Sequence, residues 1–152
     1  MTTLIKKYND ARVYLINDAS IVQKMALSIL FAVILAVASQ IKIFLSFTPV
    51  PINLGTFAVC MAGMTLGGFW GFVSVAIYML AAAVGLPVIA GSSLIGATTG
   101  YIIGFAICAF ALGKWTERGN IKKDSFVKTS AVLFIFQIAI IHICGMIGLY
   151  IW

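Results

Sequence analysis

The sequence predicts an all-α integral membrane protein, a helical bundle of about five transmembrane helices. Three observations carry that reading. Of 152 residues, 62% are hydrophobic and only 9% are charged, with a mean hydropathy of +1.13, whereas a soluble domain carries about 25% charged residues. Between Lys42 and Lys114 there is no Asp, Glu, Lys, Arg or His. Water-exposed loops do not run that far without charge, but a helix needs only about 20 mainly apolar residues to cross a hydrocarbon core. The third observation is the placing of the cations in two short segments. Membrane topology accounts for the net charge of +6 on that pattern, and no nucleic-acid partner is expected.

Residues 1–24 carry Lys6, Lys7, Asp10, Arg12, Asp18 and Lys24, with Leu4, Tyr8, Ala11 and Leu15 at helical spacing. They read as a cytoplasmic leader or an interfacial amphipathic helix. Residues 25–152 then form a single transmembrane bundle. The first span covers about 25–43. Its Ala36-Val37-Ala38 imitates a signal-peptide cleavage site, but the long leader and the further spans favour a retained helix. Pro49 and Pro51 break helix and require a loop. The uncharged stretch that follows divides at Gly67-Gly68-Phe69-Trp70-Gly71 into two short spans, 53–67 and 70–84. Gly85-Leu86-Pro87 ends the second of these, and a small-residue loop leads to a fourth span at 97–113. Lys114 to Lys128 is an aqueous loop, and the last span is 129–152. With the N-terminus cytoplasmic, nine of the ten Lys and Arg lie inside and only Lys42 lies outside, as the positive-inside rule requires.

No enzyme can be assembled from this inventory. There is no nucleophile with a base, no acidic pair and no phosphate loop. His142 is the one ionisable side chain deep in a span, with Gln137 nearby, and it lacks the partners of a metal site or a proton relay. A packing histidine is the plainer reading. Cys60, Cys108 and Cys144 sit in apolar stretches without metal-site spacing and read as small packing residues, and neither metal nor cofactor is expected. Gly63, Gly67, Gly71 and Gly96, Gly100, Gly104 recur at every fourth position, which clears a helix face for close approach within the bundle or to a partner. Ala32 and Ala36 make a similar smooth stripe.

What remains is a pocket type. Neutral groups able to hydrogen-bond gather on the outer side: Gln40, Thr48 and Asn53 around the first loop, and Ser92, Ser93, Thr98, Thr99 and Tyr101 around the third. Lys42 is the outer cation. Two such loops over a bundle mouth would make a mostly apolar site with a few orienting polar groups. A ligand with an amide-like head and an acidic tail suits it. The plain alternatives are loop solvation, helix capping and, for Lys42, snorkelling.

Ser46-Phe47-Thr48-Pro49-Val50-Pro51-Ile52-Asn53-Leu54, Ala62-Gly63, Leu66-Gly67, Tyr78, Gly85-Leu86-Pro87-Val88, Ala90-Gly91 and Thr99-Gly100-Tyr101 together resemble the BioY family, over about residues 25–152. Its members are biotin-binding S-components of energy-coupling factor (ECF) transporters. The resemblance implies a substrate-capture subunit of the bacterial inner membrane that binds biotin near the outer surface. It also implies as partners a T-component and two cytoplasmic ATP-binding subunits. A small-residue motif on the first span meets the T-component in such proteins, and Ala32 and Ala36 match it. The expected substrate-binding residues are Lys42, Thr48, Asn53, Ser92, Ser93, Thr99 and Tyr101. Two departures stand out. Ala97-Thr98-Thr99-Gly100-Tyr101 replaces the family's Pro-Thr-Gly-Gly-Tyr. The family also has a sixth span, which brings an acidic residue and a lysine to the biotin site, whereas the spans to Trp152 number five. Either another subunit supplies that span, or the chain is a shortened, non-transporting scaffold or assembly subunit.

Overall fold

The computed structural model describes residues 2–43, 46, 52–89, 98–118 and 126–151. Helix α1 (Thr2–Asn17) leads into α2 (Ile21–Gln40), then a short antiparallel ribbon of β1 (Lys42–Ile43) and β2 (Ile52–Asn53). Helices α3 (Gly55–Leu66), α4 (Gly68–Ala83) and α5 (Thr99–Glu117) follow. The chain ends in α6 (Phe126–Phe136), which passes through a π-helical turn (Gln137–His142) into α7 (Ile143–Ile151). Among the described residues, three stretches are long and apolar enough to cross a membrane: Ile21–Gln40, Thr99–Glu117 and Ala131–Ile151. Helices α3 and α4 are apolar but shorter.

Each boundary has a local cause. Helix α2 starts at Ile21 because Ser20 and Gln23 form a reciprocal capping box, Ser20 Oγ accepting from Gln23 N and Gln23 Oε1 from Ser20 N. The S-x-x-Q signal was legible in the sequence, yet apolarity alone places the start at 25. The turn between α3 and α4 is tighter than expected from spans at 53–67 and 70–84. Gly67 supplies it alone with a φ of 86°, and α4 begins at Gly68. Helix α5 continues beyond 113 to Glu117, because Lys114 and Glu117 pair at 2.9 Å and Thr116 Oγ1 bonds back to the Gly113 carbonyl.

Helix α5 is the axis of the bundle and packs against α3, α4, the π turn and α7. Its Ile102, Phe105, Cys108, Ala109 and Leu112 meet Leu35, Val59, Val75 and Ile141 in one core. In lipid the hydrophobic effect does not hold helices together, so close packing must. The glycines provide it within the chain. A Cβ on Gly63 would lie 2.6 Å from the Ala109 carbonyl oxygen, and one on Gly71 would lie 2.8 Å from Gly63 Cα. One on Gly100 would meet Gly148 Cα at 2.8 Å, and one on Gly113 would run into the backbone of Gly67 and Gly68. Gly96 lies outside the described residues.

The Ala32 and Ala36 stripe faces the bundle to different degrees. Ala32 is 5% exposed and belongs to the core, and Ala36 packs against that core half-buried. Ala32 therefore packs within the chain's own bundle. The outward face of α2 carries Val22, Met25, Ile29, Val33 and Val37 instead, bulky apolar residues suited to lipid.

Candidate functional site

The two ends of the bundle differ in character. At one end the α1, α3 and α5 C-termini meet the α2 and α4 N-termini, held by charge. Arg12 is buried and its Nε donates to the Met64 carbonyl at 2.6 Å, while Lys24 Nζ donates to the Ile16 carbonyl at 2.9 Å. Both are cations on the carbonyls of a helix C-terminus, where the dipole favours them. Glu117 Oε1 accepts from Gly68 N at 2.8 Å and caps α4, which has no side-chain cap of its own.

The opposite end gathers neutral polar groups. The β1–β2 ribbon sets Lys42 directly across from Asn53 and Ile43 across from Ile52. Opposed residues of an antiparallel pair stand about 4.5–5.5 Å apart. Asn53 Oδ1 accepts from Gly55 N at 2.8 Å, and Thr56 Oγ1 donates to the Asn53 carbonyl at 3.4 Å. The capping alternative therefore describes the Asn53 oxygen, and the same bond orients its amide. Ser39 closes the group from α2: a Cβ on Gly55 would sit 2.7 Å from both Ser39 Oγ and Asn53 Oδ1, and 3.5 Å from the Phe105 ring. Gly55 thus lets three elements converge at one point.

Of the expected binding residues, the structure brings Lys42 and Asn53 together. Tyr101 turns toward α7, its ring lying where a side chain on Gly145 would be and edge-on to His142 at 6.1 Å between centroids. Thr99 opens α5 and is half-buried. Thr48, Ser92 and Ser93 lie outside the described residues. Gln137 is bonded to Cys60, whose Sγ donates to Oε1 at 3.8 Å, while His142 keeps its ring contact with Tyr101 and is exposed on the bundle surface. No cluster of three His, Cys, Asp or Glu forms among the described residues. Sequence reasoning missed Ser39 and the buried hydroxyl of Tyr78, which lies 3.3 Å from Ser39 Oγ. A tyrosine inside an apolar helix was the available signal, since its hydroxyl must find a partner when buried.

These features define a polytopic helical membrane protein with an apolar lipid-facing surface and neutral polar groups concentrated at one end. The BioY family model matches residues 6–152. The chain belongs to the BioY family. It is 39% identical over 105 residues to the "Probable biotin transporter BioY" of Pyrococcus horikoshii, a match covering 66% of this chain and 62% of that protein. It is 38% identical over 102 residues to the "Biotin transporter BioY" of Thermotoga maritima, covering 64% and 57%. The chain therefore spans less than two thirds of the length of these curated relatives. Among solved structures it resembles the S-component for biotin from an ECF-type ABC transporter, with a TM-score of 0.75 and 25% identity, covering 84% of this chain and 71% of that one. The relatives are named as transporters, which are not enzymes.

Proposed function

We propose that this chain serves biotin uptake as the substrate-capture S-component of an ECF-type transporter. The observation that carries the reading is the hairpin end, where Lys42 stands across from an amide already oriented by Gly55. A cation beside a fixed amide complements a ligand with a carboxylate tail and a ureido head. The BioY membership and the likeness to a biotin S-component support the same substrate. Thr48, Ser92, Ser93, Thr99 and Tyr101 complete the proposed site from the two loops and the start of α5. The proposed setting is the bacterial inner membrane, with the N-terminus cytoplasmic and with a T-component and two ATP-binding subunits as partners. The described glycines of the series that motivated a scaffold reading pack inside the bundle, which leaves that alternative without their support. Purified protein should bind labelled biotin saturably, in parallel with a full-length relative as positive control. Absence of saturable binding while the control binds would sink the proposal.

A further inference from the structure

The segment that leaves α4 is tied to the end of α2 by side chains from two helices. Tyr78, 2% exposed in α4, places its hydroxyl 3.3 Å from Ser39 Oγ and 3.3 Å from the Val88 carbonyl oxygen, its one proton shared between the two. One residue further along α2, Gln40 Nε2 donates to the Pro87 carbonyl at 3.0 Å. Ile89 then enters the core. Phenylalanine would fill the same apolar space with no hydroxyl to satisfy, so the polar atom serves a contact rather than packing. Ser39 also stands beside Asn53 at Gly55, which links this tie to the β1–β2 ribbon. The two hydroxyl contacts exceed the usual 2.5–3.0 Å of an O–H···O bond, so each is weak enough to release.

We propose that Tyr78, Ser39 and Gln40 form a latch that fixes Pro87–Ile89 against the end of α2, with Tyr78 as a positioning residue controlling how long ligand stays at the hairpin end. Ser39 belongs both to the latch and to the corner it shares with Asn53 at Gly55, so the latch borders the hairpin end directly. The inference rests on the biotin reading of that end.

The test compares wild type, Tyr78→Phe and Gln40→Leu for biotin association and dissociation rates, and for amide hydrogen exchange across residues 84–89 without biotin. Each variant should speed dissociation about fivefold, the size expected from losing one neutral hydrogen bond, with association changed less than about twofold, since affinity changes within one site fall mainly on dissociation. Exchange at 84–89 should rise in both. Unchanged exchange in both variants overturns the latch, and faster exchange with unaltered dissociation overturns its role in ligand retention. Gln40 is exposed, so Gln40→Leu keeps the test decisive where Tyr78→Phe fails to fold. A wild type that binds no biotin is read before any variant, and overturns the biotin reading together with this inference.

Discussion

Lys42 stands at the end of the bundle where neutral polar groups gather, half-buried and across from Asn53. Two unit charges at about 4 Å are worth about 1 kcal/mol in bulk water and about 4 kcal/mol at the effective dielectric near a protein surface. If Lys42 meets the carboxylate of biotin, Lys42→Met should weaken biotin binding about tenfold and an uncharged biotin amide less than about threefold, on that scale. Isothermal titration with both ligands checks this, and equal losses for the two would make Lys42 a snorkelling residue. At this scale the sequence was legible where charge decides. An isolated cation after a long apolar run is visible in one dimension, but its opposition to Asn53 is not, because the ribbon pairs these two residues eleven positions apart. Ala32 shows the converse. Small residues at a four-residue spacing announce a close approach without saying to what, and the bundle itself takes up that face.

Among the elements, helix ends are where local signals and distant partners divide. The capping box at Ser20 and Gln23 is written in adjacent residues. The cap of α4 comes from Glu117 in α5, and no sequence window contains both. Glu117→Ala should destabilise the protein by about 1–2 kcal/mol, at the lower end for a hydrogen bond to a charged group because the side chain is 25% exposed. The same change strips Lys114 of its 2.9 Å ion pair. Thermal unfolding in detergent measures the effect, and an unshifted midpoint would show that water replaces the carboxylate at no cost. The π turn at Gln137–His142 was outside sequence reach for a similar reason. Its neighbours Gly104 and Cys60 belong to other helices.

For the whole molecule, three of the described cations lie at the end opposite the neutral polar groups. Arg12, Lys24 and Lys114 share one end with the Gly67 turn, and Lys42 shares the other with Asn53 and Ser39. The proposed orientation, with the first end in the cytoplasm, follows the positive-inside rule. In a variant with Cys60, Cys108 and Cys144 replaced by alanine, an impermeant thiol reagent applied to intact cells should label Ser46→Cys and spare Asn17→Cys. Labelling of Asn17→Cys alone would invert the orientation.

Membrane residence and the helical class can be read from the amino-acid sequence alone. Hydropathy and charge are sums over neighbouring residues, and lipid responds to those sums alone. The tertiary structure decided which small residues are consumed in packing, how Glu117 reaches α4, and that Ser39, Tyr78, Gln40 and Asn53 converge at one end of the bundle. Those are pairings between helices, and with no hydrophobic drive between helices in lipid they depend on shape and hydrogen-bond geometry, which appear only once the helices are placed side by side.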